Sequence, residues 1–354
     1  MAQDTGMARP AATAEAQAAP LISVIIPCYN VAPWAERCIR SVLAQEGVPL
    51  EVVAVDDRST DDTGALLDAL AQQDARLKVL HLPANVGLHA ARRAGFQAAT
   101  GALIGFVDGD DHVDPAMYAR LAGALVRSGA DIALGGWRAA WEDGQEESAF
   151  NYPAERVITD DLPGRFARFE FGKGVVWNKL YRREVIAPAM AMQLDRALDS
   201  GADYIIGFGN FMRAEKVVTV PDALYHYALR TASMSNGMDR AKAFAHLLAC
   251  YAAAVALYAP RGEALLAAID ESYRRQLHFS GYRVDHPADL QAYGPQLARA
   301  MARLAEHRPQ AIHALVRTFD PEATPPPPMR PRYYLGQARA ALRKALQAMV
   351  KGRA

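Results

Sequence analysis

Cysteine is scarce in this chain: Cys28, Cys38 and Cys250 are its only three among 354 residues. Three thiols build no disulfide framework, and no CxxC pair offers zinc ligands, so they read as reduced, buried groups of a cytosolic protein. Net charge is missing as well. Lys and Arg total 39 and Asp and Glu 39, a balance that exerts no overall pull on nucleic acid. The sequence contains no run of about 18 uncharged apolar residues, which excludes an expected membrane-spanning helix. The Ala-rich residues 1–20 lack a basic start followed by an apolar stretch, so they read as a disordered leader and not as a secretory signal. What remains is ordinary for a globular protein: 51% hydrophobic and 22% charged residues, too apolar for wholesale disorder. At roughly 100–200 residues per domain, the length suits two domains, or one with an appendage.

After the leader the pattern changes. Short apolar, β-branched runs occupy residues 21–26, 51–55, 77–82 and 102–107, as expected of strands buried on both faces of a parallel sheet. Helical spacing fills the gaps at 34–45, 63–71 and 87–100. Ser59 or Thr60 is the expected N-cap of the second helix, and Gly101 the left-handed residue closing the third. Strand alternating with helix predicts a doubly wound α/β domain. A helix is expected over 116–127, a strand at 132–134, a polar loop over 141–165, strands at 175–181 and 217–220, and a helix near 202–214. From about Arg240 the composition turns to Ala, Leu and Arg without strand signals. The expected division is therefore a leader (1–20), an α/β domain (21–238), a helical region (239–322), and a proline-rich spacer with a basic amphipathic helix (323–354).

Polar clusters follow three of the strands: Tyr29-Asn30, Asp56-Asp57, and Asp108-Gly109-Asp110-Asp111. In an open α/β sheet, ligands bind at the carboxyl ends of the strands, so the three clusters converge on one crevice. Carboxylates one residue apart around a glycine suit a hard cation, Mg²⁺ or Mn²⁺, whose shell is completed by substrate phosphates and water; the bland alternative is a solvated acidic turn. An ionised Asp at the second strand end accepts hydrogen bonds from a base edge or ribose, or caps the turn that follows. Tyr29 offers a ring face for stacking on a nucleobase, or is a half-buried aromatic at a strand end. The glycine-rich signatures of dehydrogenases and of nucleotidyltransferases are missing after the first strand, which holds Pro27-Cys28-Tyr29-Asn30 instead.

In order, Ser23-Val24-Ile25-Ile26-Pro27-Cys28-Tyr29-Asn30, Val55-Asp56-Asp57-Arg58-Ser59-Thr60-Asp61, Asn85-Val86-Gly87 before Ala91-Arg92, and Phe106-Val107-Asp108-Gly109-Asp110-Asp111 resemble the signature of family 2 glycosyltransferases. The resemblance runs from Leu21 to about Ser235. Trp177-Asn178-Lys179-Leu180-Tyr181 and Leu224-Tyr225-His226-Tyr227, with Arg230 and Ser233, resemble the acceptor-side half of bacterial polysaccharide transferases. What the resemblance implies is a GT-A nucleotide-diphospho-sugar transferase fold: a doubly wound, mixed and mainly parallel sheet with a C-terminal helical region. It implies that Pro27, Tyr29 and Asp57 line the nucleoside site, that Asp108 faces the ribose, and that Asp110 holds a divalent metal on the diphosphate. By the same resemblance His226 adds a metal or phosphate contact, or is a structural histidine among aromatics. Arg230 sits near the pyrophosphate, or is a plain surface arginine. Family members carry a Glu-Asp pair ahead of an apolar helix, whose Asp is the general base. Here Asp203 matches that Asp and Ala202 replaces the Glu, while Asp195 and Asp199 lie just upstream.

The expected activity is inverting, metal-dependent transfer of a hexose or N-acetylhexosamine from a nucleotide sugar, UDP-linked, to a glycan or lipid-linked acceptor in envelope or capsular polysaccharide synthesis. The alternative is a non-catalytic nucleotide-sugar-binding scaffold, favoured by Ala202. The balance of charge is also a cancellation between regions. Residues 51–75 hold seven acidic groups against one Arg, and residues 330–354 hold seven basic groups and no acidic ones. That basic segment, with Tyr333 and Tyr334 at its start, suits an anionic membrane surface on the cytoplasmic side, or a helix packed on the catalytic domain.

Overall fold

A computed structural model describes residues 19–312 apart from 142, 173, 231–239 and 280–286. Most of the leader, Ser233, the proline run and the basic helix expected over 330–354 lie outside the described residues. The first half alternates as expected: β1 (Ile22–Cys28), α1 (Ala32–Leu43), β2 (Leu50–Asp56), α2 (Thr63–Ala71), β3 (Leu77–His81), α3 (Leu88–Ala98) and β4 (Leu103–Phe106). Then come β5 (His112–Val113), α4 (Met117–Ser128), β6 (Ile132–Trp141), β7 (Glu146–Phe150), β8 (Arg156–Ile158), α5 (Leu162–Ala167), β9 (Lys179–Arg182) and α6 (Arg183–Ala191). A 3₁₀ turn (Arg196–Gly201) leads into α7 (Ala202–Arg213), followed by β10 (Val217–Leu229). Three helices complete the described chain: α8 (Arg240–Tyr258), α9 (Glu263–Phe279) and α10 (Pro287–His307).

The strands form one mixed sheet in the order β3-β2-β1-β4-β9-β6-β10-β5, with β7 on β6 and β8 on β10. The quartet β3-β2-β1-β4 is parallel, and β1 is buried at every residue. Alternation along β1 sends Val24 and Ile26 to the side covered by α1, α2 and α4, and Ile25 to the side covered by α3, α6 and α7. Each such buried aliphatic contributes about 1.5–3 kcal/mol over an exposed one. Register then fixes the crevice. Cys28 lies opposite Asp56, and Ile25 opposite Phe106, so the polar segments after these strands emerge on one edge.

The structure departs from the sequence expectations in several places. Ser59 and Thr60 do not cap α2: the Ser59 hydroxyl accepts from Asn30 N (3.1 Å) and the Thr60 amide donates to Asn30 Oδ1 (2.8 Å), locking the β1 and β2 loops together. The Asp61 carboxylate serves the start of α2, accepting from Thr63 N at 3.0 Å. Helix α3 ends with Ala99 extended, so Gly101 is not a left-handed closure. A Cβ on Gly101 would lie 2.6 Å from Leu21 O and from Ser23 Oγ, so glycine there permits close approach to β1. Residues 141–165 are not a plain loop, because β7 and β8 add antiparallel edge strands whose exposed side chains gave no apolar alternation. The strand expected at 175–181 begins only at Lys179 and runs antiparallel between β4 and β6.

The helical region has no core of its own. Residues of α8, α9 and α10 share one apolar cluster with Phe166, Phe208 and Phe211 of α5 and α7. Helix α8 also qualifies the expectation about membrane spans. The stretch Ala241–Arg261 has mean hydropathy 1.5 and enough length to cross a bilayer, but 61% of it is buried inside the protein. Arg308 fastens the end of this region to Glu263 and Asp270, at 2.5 and 2.6 Å.

His81, ending β3, bridges Asp68 (2.9 Å) and Asp56 (3.0 Å). The hydrogen bonds to Asp68 and then Asp56 raise its pKa above the ordinary value. A folded-state pKa raised in this way stabilises the protein fully below the unfolded value, about 6.5, and the contribution is lost as pH rises through the folded value. Exchange of His81 for Gln is therefore expected to lower the melting temperature more at about pH 5.5 than at about pH 8.5. Equal losses at both pH values, read by calorimetry, would exclude an imidazolium between the two carboxylates.

Candidate active site

The acidic turn after β4 is built from inside the protein outward. Asp111 is fully buried and accepts two hydrogen bonds from β10, from the Tyr225 hydroxyl (2.6 Å) and the Ala228 amide (2.7 Å). The same Tyr225 oxygen accepts the Asp108 amide at 3.1 Å, and the Tyr225 ring stacks on Trp177 with centroids 4.1 Å apart. Burial, reinforced by the charge of Asp108, pushes the Asp111 carboxyl up. Asp111 thus anchors the turn, leaving Asp108 and Asp110 as its partly exposed carboxylates, 25% and 21% accessible at the side chain.

One cation joins this turn to the candidate base. Arg92, on α3, is 1% exposed, and its guanidinium donates to Asp108 Oδ1 at 2.7 Å and to Asp203 Oδ1 at 2.6 Å. The other Asp203 oxygen accepts the Val176 amide at 3.2 Å. Residues 92, 108 and 203, far apart in sequence, therefore form one Asp–Arg–Asp bridge. Burial raises the Asp108 carboxyl, the guanidinium opposes that, and the neighbouring Asp203 charge adds to it. Among the buried positions of α3, Arg92 stands with His89, Ala91 and Gly95. The available signal was an arginine beside Ala91 and one turn before Gly95 on the buried side of an otherwise amphipathic helix.

The upstream aspartates are otherwise engaged. Asp195 accepts from Ala197 N (2.9 Å), and Asp199 accepts from Leu88 N (2.8 Å) and His89 N (3.3 Å) at the start of α3. Gly87, just before that helix, has φ +94°, and a Cβ there would run into the Asp199 carboxylate. Ala202, at the head of α7, is fully buried.

On the other flank, Pro27 is buried in β1 and Tyr29 is 45% exposed. Asp57 is 4% exposed and accepts from Val86 N (2.7 Å), Gly87 N (2.9 Å) and Asn85 Nδ2 (2.9 Å). A carboxylate has about four acceptor positions, so three of them hold the 85–87 loop and one remains. Arg230 forms an ion pair with Asp110, and its guanidinium lies over the Trp34 ring, 4.1 Å from the centroid. It is thus part of the acidic turn's surroundings and not a detached surface group.

His226 has different company. Tyr225 faces Asp111, and alternation along β10 turns the next residue to the opposite face. There the His226 ring stacks on His112, with centroids 4.5 Å apart and planes 15° from parallel. Burial, with the charge of Arg138 beside it, lowers the His226 pKa. Among the described residues, no three His, Cys, Asp or Glu side chains gather as a metal site. The residues present fit a divalent ion of the kind held by one carboxylate, Asp110, with substrate phosphates and water as the other ligands.

Comparison with known proteins agrees with this architecture. Residues 23–187 match the model of glycosyl transferase family 2. The uncharacterized glycosyltransferase EpsJ of Bacillus subtilis is 34% identical over 242 residues, covering 68% of this chain and 70% of EpsJ. The succinoglycan biosynthesis protein ExoO of Rhizobium meliloti is 31% identical over 61% of this chain and 63% of its own. Staphylococcus aureus TarS 1-349, crystallised with UDP-GlcNAc, superposes with a TM-score of 0.69 at 19% identity, covering 93% of this chain and 90% of that one. A parallel strand quartet ending in an acidic turn, an Asp–Arg–Asp bridge beside it and this kinship together make the chain a GT-A-fold glycosyltransferase that belongs to glycosyl transferase family 2.

Proposed function

We propose that the protein transfers a hexose or N-acetylhexosamine, with inversion, from a UDP-linked donor to a glycan or lipid-linked acceptor during envelope or capsular polysaccharide synthesis on the cytoplasmic side. The observation that carries the reading is the bridge through Arg92, which sets Asp203 beside the acidic turn at hydrogen-bond distances. In this reading Asp203 accepts the acceptor hydroxyl's proton, and the hydroxyl attacks the anomeric carbon from the face opposite the diphosphate. Tyr29 stacks on the base, Pro27 backs it, and Asp57 shapes the nucleoside site mainly through the 85–87 loop that it holds. Asp108 faces the ribose, and Arg230 meets the diphosphate. Asp110 holds Mn²⁺ or Mg²⁺, which when bound offsets charge on the leaving diphosphate.

The test is a thermal-shift screen of UDP-, GDP- and dTDP-sugars with Mn²⁺, since a bound ligand stabilises the native state by mass action. A UDP-sugar at about 100 times its dissociation constant is expected to add about 2.7 kcal/mol. Asp110→Ala is expected to abolish the Mn²⁺-dependent part of that shift, and an unchanged shift would remove Asp110 from the metal. Ala202 favours a second reading, a scaffold that binds nucleotide sugar without turnover. Donor binding by the wild type, with no transfer to any envelope glycan fraction, would select it.

A further inference from the structure

Lys179 opens β9 in the middle of the sheet and is 1% exposed. Its ammonium donates to two neutral acceptors, Asn178 Oδ1 at 2.7 Å and Val175 O at 2.5 Å. The second contact matters because Val175 O and Val176 N belong to one peptide group. The N–H end of that peptide donates to Asp203 Oδ2, while its oxygen is held by Lys179. A hydrogen bond to a peptide oxygen polarises the group and strengthens its N–H as a donor. The chain Lys179–peptide–Asp203–Arg92–Asp108 is therefore continuous, with a buried cation at its far end.

Resting on the reading of Asp203 as the base, we propose that Lys179 is its positioning residue. Through the 175–176 peptide, the ammonium fixes one Asp203 oxygen and favours the ionised carboxylate. Two further facts support the coupling. Burial lowers the Lys179 pKa to about 7, and the charge acting against burial is that of Asp203. Asp203 also acts on Arg92 of α3, Tyr181 of β9 and Tyr204 of its own helix. Lys179 and Tyr181, two residues apart, share one face of β9.

The first experiment needs no substrate. In full-length protein carrying ¹³C-labelled lysine, the Lys179 titration is followed by NMR in the wild type and in Asp203→Asn. The midpoint is expected to fall in the variant, because the carboxylate charge that supports the ammonium is gone. An unchanged midpoint overturns the proposal, whatever reaction the protein performs. The second experiment is kinetic, with the donor selected by the thermal-shift screen. Lys179→Met is expected to lower kcat about 10–100-fold, the cost of a mispositioned reacting group. Donor affinity should be retained, and the acidic limb of the kcat profile should move to higher pH as Asp203 loses the nearby cation. An unmoved limb, or a loss confined to donor affinity, overturns the proposal. If Lys179→Met does not fold, the titration comparison decides alone. Absence of any turnover in the wild type would defeat the base assignment and leave the titration result to judge the coupling.

Discussion

Asp203→Asn is expected to reduce sugar transfer about 10²–10⁴-fold, the usual contribution of a positioned general base, while leaving donor affinity near that of the wild type. The amide keeps one oxygen for the Val176 amide or for Arg92 but takes up no proton. The exchange keeps the size of the side chain but takes one of two carboxylates from the buried Arg92 guanidinium, so the variant's fold is checked by its thermal melt before kinetics are compared. Steady-state transfer assays beside calorimetric donor titrations separate the two effects. Wild-type turnover in the variant would sink the assignment. Asp195 and Asp199 accept backbone amides at residues 197 and 88–89, whereas Arg92 bridges Asp108 to Asp203.

Arg92→Met is expected to be the most destabilising single exchange at the site. The guanidinium is buried and serves two carboxylates at once. Removing one partner of a buried ionic group costs about 3–5 kcal/mol, because the remaining charges are left unpaired. The loss should also depend on pH with a definite sign. Burial holds the Asp108 carboxyl above its ordinary value and the guanidinium opposes that, so without Arg92 the native state binds more protons than the unfolded one. Stability of the variant then falls as pH rises through the carboxylate range. Urea denaturation at about pH 5 and about pH 8 is expected to show the larger deficit at the higher value. A deficit below about 1 kcal/mol, the range of exposed pairs, would show that the bridge does not hold the crevice together.

These expectations differ in how much of them could be read along the chain. The strands β1 to β4 were legible because each is a short apolar run, with β1, β2 and β4 buried on both faces, and the carboxyl-end rule then gathered Tyr29, Asp57, Asp108 and Asp110 at one edge. The antiparallel half was harder to read. Strands β7 and β8 are edge strands with exposed side chains, so no apolar alternation marked them. Strand β9 begins later than its apolar run suggests, and just ahead of it the Asn178 side-chain amide donates to Gly135 O at 2.7 Å. His226 carried no sign of which strand face it occupies, since that depends on the pairing of β10 with β5.

The sequence by itself determined the alternation of strands and helices from β1 to β4, the family, and the separation of acidic strand ends from the basic residues beyond 330. Those features live in local patterns of polarity and in ordered motifs, which need no partner to be recognised. Only the tertiary structure decided the roles of individual charges. It turned Asp57, Asp111, Asp195 and Asp199 toward backbone or side-chain donors, joined Asp203 to Asp108 through Arg92, and placed Lys179 behind the peptide that holds Asp203. A carboxylate's function follows from which donors reach it, and chain folding alone brings residues 92, 108, 179 and 203 within hydrogen-bonding reach of one network.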